Sequence, residues 1–486
     1  MIAGTTKGNE QVVVNEITPL LTNSEEGSIG HADAPLSSVH AIPDSDNDKA
    51  LPMTQIFFLC YARLFESIAF YLIFPFINQM IWEVGDVEEA NVGFYSGLIE
   101  SLFSLTQMVL MIPWGRAADR FGRKPVLVFS LVGSAIATAL FGISKSVWQM
   151  ILFRSLGGVF SGSIITIRIM IFENSTPKTQ AQAFSFFVFA GSLGGFLGPL
   201  IGGALSNPAD QYPKVFGGLQ VFKLYPYSLA TFVCGMIAAS AALMTTLSIK
   251  ETLVRHKDTE SSAPHAPISV VKLIKYPGVL NVLIIYGLVV LLALAYTAIT
   301  PVFWFTRPEL GGYGFSPLWI SIFLGATGFL QAVWVLFIFP PLQHRIGTGG
   351  VMRLCSYGFP LLYAFSPVTN LLLRMDLRLA FWLSTPALQL LSSAVGMSFI
   401  VIQLALNDIA PSSIALGTLN AIALTITSGI RTVAPAIFTS IFAVGVQNQI
   451  LWGYLVWVVM VLLALTTAAA VRWLPKEADG NPKESG

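Results

Sequence analysis

From Thr54 onward the chain alternates between long apolar runs and short polar breaks. Each run has roughly twenty residues or more, the length of helix that crosses a hydrocarbon core. Twelve such runs lie near 54–82, 93–113, 125–144, 148–172, 181–205, 226–249, 278–304, 317–339, 350–372, 379–406, 416–441 and 448–473. A polar stretch over 250–277 divides the sixth from the seventh, and polar tails cover 1–53 and 475–486. The pattern predicts an all-α polytopic membrane protein of twelve transmembrane helices, arranged as two six-helix bundles, 54–249 and 278–474.

Composition agrees, with 54% hydrophobic residues, 11% charged residues and a mean hydropathy of +0.70, too oily for a soluble fold. A net charge of +1 gives nucleic acid nothing to bind. Cys60, Cys234 and Cys355 fall inside apolar runs without metal or disulfide spacing, so neither a zinc site nor a disulfide framework is expected. No cofactor motif is present. The first fifty residues are acidic and contain no positively flanked apolar core, so no cleaved signal peptide is expected.

Charge then sets the orientation. Arginine and lysine crowd the loops after the second, fourth, sixth and eighth runs and the C-terminal end, whereas the alternate loops hold only Lys145, Lys214, Lys223, Arg307, Arg374 and Arg378. By the positive-inside rule both tails and the central linker are cytosolic. The first outer loop, "EVGDVEEAN", has four acids and no base, as a translocated segment should. The Asn174-Ser175-Thr176 sequon then faces the cytosol and goes unglycosylated.

Topology alone does not explain "WGRAADRFGRK", Trp114 to Lys124, which adds glycines and an acid to its bases. It resembles the loop 2-3 signature of the major facilitator superfamily, G-x-x-x-D-R-x-G-R-K, through Gly115, Asp119, Arg120, Gly122, Arg123 and Lys124. A second pattern, S-x(8)-G-x(3)-G-P-x-x-G-G, is met by Ser185, Gly194, Gly198, Pro199, Gly202 and Gly203, and is similar to the signature of the drug:proton antiporter branch. Arg154 and Gly158 meet the R-x-x-x-G pattern of the fourth span. "ARLFESIAFYLIFPFI" looks most like fungal multidrug-type carriers and the related plant zinc-induced facilitator-like group, whose paired-cysteine motif is missing here. The resemblance implies the major facilitator fold, with two pseudo-symmetric halves and a substrate site between them. "PPLQHRIG" repeats the loop signature with Arg345 for Arg120 and Gly347 for Gly122, while His344 replaces Asp119, and Pro435 echoes Pro199. A parallel duplication of this kind leaves its binding site near the midplane between halves.

Charges within the spans are costly and therefore informative. Arg63 and Glu66 sit three apart on the first span, Glu100 on the second, Arg154 and Arg168 on the fourth, and Arg431 on the eleventh. No histidine lies within a span, so a transported proton must ride a carboxylate. Glu66 is the preferred carrier and Glu100 the alternative, with Arg63 and Arg154 competing for the same charge; a permanent Arg63-Glu66 ion pair is the structural reading. Gln107, Tyr296, Trp304 and Arg431 are candidates for the cavity wall, although Tyr286, Tyr296, Phe303, Trp304 and Trp334 also fit plain packing. HExxH, GxSxG and P-loop motifs are absent, which argues against an enzyme or an ATP-driven pump. The expected function is proton-coupled export of a small amphipathic organic compound by a monomeric, multi-pass carrier of the plasma membrane. The alternative is a vacuolar carrier for a metal-chelating small molecule, for which "EITPLL", Glu16 to Leu21, would supply an acidic dileucine address.

Overall fold

The computed structural model describes residues 51–176, 179–253, 273–411, 413–475 and 478. The Glu16–Leu21 motif, most of the central linker and most of the C-terminal tail lie outside the described residues. All helices described below belong to one unit, Asn47–Gly486.

Every apolar run forms one helix or a broken pair. The first half contains α1 (Met53–Tyr71), α2 (Ile77–Glu83), α3 (Val92–Phe121), α4 (Arg123–Phe141), α5 (Val147–Val159), α6 (Ser163–Glu173), α7 (Gln180–Leu205) and α8 (Ser228–Ser248). The second contains α9 (Val279–Phe305), α10 (Pro317–Val333), α11 (Phe339–Arg374), α12 (Arg378–Val395), α13 (Ser398–Asp408), α14 (Ser413–Gln447) and α15 (Leu455–Val471). Among the described residues nine stretches are long and apolar enough to cross a membrane, and Pro317–Arg374 holds two passes. With α1–α2 and α15 the passes number twelve. Three passes are broken. The first is interrupted at 72–76 beside Pro75, the fourth at 160–162, and the tenth at 396–397. Proline lacks the donor that would continue a helix, and glycine continues one weakly.

Each half has its own core. Phe65, Phe76 and Tyr227 are fully buried in the first half, and Phe303, Tyr363 and Trp457 in the second. Between lipid-solvated helices close packing supplies the attraction, so small residues mark the contacts. In the first half Gly194, Gly198 and Gly202 of α7 face α1. A Cβ on Gly194 would stand 2.7 Å from the Leu64 carbonyl, and one on Gly198 would stand 2.9 Å from the Ile68 carbonyl.

The halves meet along two seams, α3 with α14 and α7 with α10. On the first, Gly93 and Gly97 face Thr439 and Pro435, Ser101 Oγ accepts the Ala436 N–H at 2.9 Å, and Met108 meets Thr432. On the second, Gly203 faces Ser321 and Pro317, Gly325 faces Leu200, and Gly328 faces Phe196. All of these positions lie in the part of the helices away from the basic loops. There too Glu89 Oε2 pairs with Arg307 Nε at 2.8 Å while its Oε1 accepts the Arg307 N–H at 2.8 Å. Toward the basic loops, Gly115 of α3 and Gly429 of α14 have nothing within 4 Å of a built Cβ. The molecule is therefore closed on the face of Glu89 and Arg307 and parted on the basic face.

Candidate functional site

Behind the closed seam, a recess of about 130 Å³ is lined by Arg63, Glu66, Phe70, Phe103, Gln107, Arg154 and Arg431, among others. A buried water needs only ~10–15 Å³ of such space, so the recess has room for an organic molecule and not for a lone water only. A second void, of about 10 Å³, lies among Tyr296, Phe303, Trp304, Tyr313 and Trp457 in the second half. That is room for a single water, so Tyr296 and Trp304 belong to an aromatic packing cluster outside the recess, whereas Gln107 and Arg431 line it.

The charges of the recess fall into two clusters. In the first, Arg63 Nη1 stands 3.5 Å from Glu66 Oε2, and the Ser163 hydroxyl donates to Glu66 Oε1. The break between α5 and α6 puts Ser163 there. The Phe160 carbonyl, released from the helix ladder, accepts from Ser130 and Ser134, and Ser130 Oγ accepts the Ser163 N–H at 2.8 Å. Arg63 and Arg168 both lie over the Phe187 ring, at 4.9 and 5.3 Å. Gly191 leaves room for Arg63, because a Cβ there would stand 3.1 Å from Arg63 Nη2.

In the second cluster, Arg154 Nη2 stands 3.5 Å from Glu100 Oε2, with side chains 8% and 9% exposed. An unpaired charge so deep would cost several kcal/mol, which accounts for the pairing. Arg154 also donates to the carbonyls of Ala69 at 3.4 Å and Phe70 at 3.3 Å, near the C-terminus of α1, where a cation complements the helix dipole. Its guanidinium covers Phe103 at 4.2 Å and Phe70 at 5.6 Å; Arg431 lies over the same Phe70 ring at 4.1 Å. Three buried polar atoms here have no hydrogen-bond partner: Arg63 Nε, Arg154 Nε and Glu100 Oε2.

The loop 2-3 signature forms a separate site on the basic face. Gly122 takes φ +112°, which permits the turn from α3 into α4. Arg123 pairs with Asp119 one helical turn back and with Glu173 at 3.1 Å. Glu251 Oε1 and Oε2 accept the N–H groups of Arg123 and Lys124 at 2.8 and 3.1 Å, capping α4 with a carboxylate. Arg120 lies over Phe121, outside this network. Asp119 is mostly exposed, and the carboxylates that close the turn are Glu173 and Glu251. Gly347 repeats the left-handed glycine at φ 73°, but the residue after it is Thr348, so the second half lacks the arginine.

The antiporter-type residues divide by partner. Gly194, Gly198 and Gly202 join α7 to α1 beside Glu66, Gly203 alone joins α7 to the other half, Pro199 sits within α7, and Ser185 is exposed near its start. The spacing of Arg63 and Glu66 foretold their pairing. The partners Ser163, Glu251, Phe70, Phe103 and Phe187 went unforeseen, and the one available signal was that Glu251 is the first acid after the sixth apolar run. Among the described residues no three His, Cys, Asp or Glu side chains gather as a metal site would require.

Comparison with known proteins agrees with this architecture. The chain is similar to an efflux pump, azaK, of Aspergillus niger, at 44% identity over 98% of each chain. It is similar to a major facilitator superfamily multidrug transporter, mfsB, of Aspergillus fumigatus, at 26% identity over 88% of this chain and 84% of that one. Among solved structures, a bacterial homologue of the lysosomal transporter Spinster, inward-facing and unoccupied, superposes with a TM-score of 0.66 over 88% of this chain and 99% of that one, at 16% identity. Residues 59–435 match the Major Facilitator Superfamily domain, and with two helical halves around a charged recess the chain is a membrane transporter belonging to that superfamily.

Proposed function

We propose that the protein is a proton-coupled exporter that takes a small amphipathic organic compound from the cytosol into the recess and releases it on the far side in exchange for protons. The observation that carries this reading is the recess itself. It joins apolar rings to the carboxylate of Glu66 and is walled by the first half, with Arg431 reaching in from the second, while the halves are parted toward the basic loops. With those loops cytosolic, the described conformer receives substrate from the cytosol, and the efflux pump and multidrug transporter relatives support the outward direction. One chain builds the whole recess, so a monomer suffices, and the plasma membrane is the site of action.

Glu66 is the proton carrier. It sits at the middle of the first pass beside Arg63 and Ser163, where gain of a proton releases the Arg63 guanidinium. Glu100 is held by Arg154, which also anchors α1, and serves as scaffold. Vesicles containing the purified protein, loaded with a panel of fluorescent dyes and given an imposed pH gradient, test the assignment. Glu66→Gln is expected to abolish the response to the gradient while dye binding persists, and Glu100→Gln to retain the response. An unchanged pH dependence in Glu66→Gln overturns the assignment, and wild-type dye flux indifferent to the gradient overturns coupling.

A further inference from the structure

The balance of charges in the recess goes beyond a generic amphipathic cargo. Three guanidinium groups line it, Arg63, Arg154 and Arg431, with the carboxylate of Glu66; Glu100 stands behind Arg154, and Arg168 adds a fourth guanidinium over Phe187. Both carboxylates already face an arginine, Glu66 with Arg63 and Glu100 with Arg154. Arg431 meets no carboxylate among the described residues; its guanidinium rests on the Phe70 face, with Arg154 against the same ring. Arg154 Nε and Arg63 Nε are buried donors without acceptors. The recess thus has cations in excess and spare N–H groups. Arginine recognises planar oxyanions through paired donors, and it stacks on aromatic faces.

We infer that the recess selects aromatic organic anions, with a carboxylate, sulfonate or acidic enol held between Arg431 and Arg154 and the ring system seated against Phe70 and Phe103. This rests on the reading of the recess as the substrate site. Arg431 belongs to α14 of the second half and Arg154 to α5 of the first, so an anion between them relieves repulsion across the parted side and draws the halves together. The proton stays apart from it, on Glu66 beside Arg63 and Ser163. Arg431 is the residue that sets specificity for charge.

Two dyes that share a xanthene frame test the inference: fluorescein, an anion, and rhodamine 123, a cation. Binding to the purified chain in detergent is read by fluorescence anisotropy. Wild type is expected to bind fluorescein at least about tenfold more tightly than rhodamine 123, the scale of one hydrogen-bonded charge pair. Arg431→Gln should erase that preference and Arg431→Lys keep most of it, with thermal melting showing that both variants fold. Equal binding of the two dyes by wild type, or an equal loss for both in Arg431→Gln, overturns the inference. Transport in vesicles separates the two readings. Movement of rhodamine 123 but not fluorescein sinks the anion assignment and leaves export standing, whereas tight fluorescein binding with no flux of either dye sinks export and leaves the anion site standing.

Discussion

Adding one methyl group to the α3–α14 seam tests how the transporter closes. A Cβ on Gly97 would overlap Thr439 Oγ1 and stand 2.6 Å from the Pro435 carbonyl. Thr439 can rotate, though its hydroxyl donates to that carbonyl at 2.6 Å, but a backbone carbonyl cannot step aside. Gly97→Ala therefore forces the helices apart, at an overpacking cost of about 1–3 kcal/mol. Separation also stretches the bond from the Ala436 N–H to Ser101, worth about 1 kcal/mol. The cost falls on the conformer closed at the Glu89 face, because in the opposite conformer the seam parts and the methyl group is free. At ~1.4 kcal/mol per factor of ten, the two costs together, about 2–4 kcal/mol, should move the equilibrium by on the order of 30- to 700-fold toward opening on that face. The assay is the rate at which a membrane-impermeant maleimide, added at the Glu89 face, labels Gln107→Cys in a background with Cys60, Cys234 and Cys355 changed to serine. Gly97→Ala should raise that rate, whereas Gly287→Ala, whose Cβ meets only Ile426 at 3.7 Å, should not. A lower melting temperature with no change in labelling would refute the reasoning, since the cost would then be shared by both conformers.

The passes were legible in the sequence because the bilayer imposes a minimum length on each, and about twenty apolar residues cannot be mistaken for much else. Their breaks were less so. The runs 54–82 and 148–172 both read as continuous; Pro75 accounts for the break in the first, and the gap at 160–162 follows from Ser130 and Ser134, 30 and 26 residues away, capturing the Phe160 carbonyl. The eighth run was drawn to 339 and the ninth from 350; α11 kinks at Gly347 (φ 73°, ψ 169°), so the ninth pass starts beside 350 as drawn, while the residues before that glycine prolong the eighth pass, because polar residues of a loop can be helical without being apolar. Charge pairing obeyed the same division. Arg63 and Glu66 share one helix face, so their spacing revealed them. Glu100 with Arg154, Arg123 with Glu173, and Glu251 on the first turn of α4 join different passes, and no local period encodes such a meeting. The rings beneath the arginines were hidden for a plainer reason: with 35 phenylalanines in the chain, nothing marks Phe70, Phe103 and Phe187 as special.

Two further outcomes concern the basic face. Burial alone would raise the Glu251 carboxyl, but N–H donors from Leu253, Arg123, Lys124 and Thr252 outweigh it and hold the group below its ordinary 4.5. The stabilisation is therefore complete above that value and is lost as pH falls below it through the folded-state value. The melting temperature of detergent-solubilised Glu251→Gln should lie below that of wild type near pH 7, and the gap should narrow below about pH 4; a gap that widens in acid would refute the cap. Asp119→Asn separates the two uses of the loop signature. The Asp119 side chain is 65% exposed and its one ionic partner among the described residues, Arg123, keeps Glu173, so in the described conformer the pair contributes at most ~1 kcal/mol. Gly115, four residues earlier, borders open space here. A carboxylate that contributes so little to this conformer is expected to act in the one where the basic face closes and Gly115 and Asp119 meet the second half. Asp119→Asn should thus leave the melting temperature within a degree or two of wild type while slowing export at least about fivefold, whereas Arg123→Ala, which strands Glu173, should lower both. If Asp119→Asn melts as early as Arg123→Ala and exports in proportion to the folded protein that remains, the loop is a clamp within the first half and takes no part in closure.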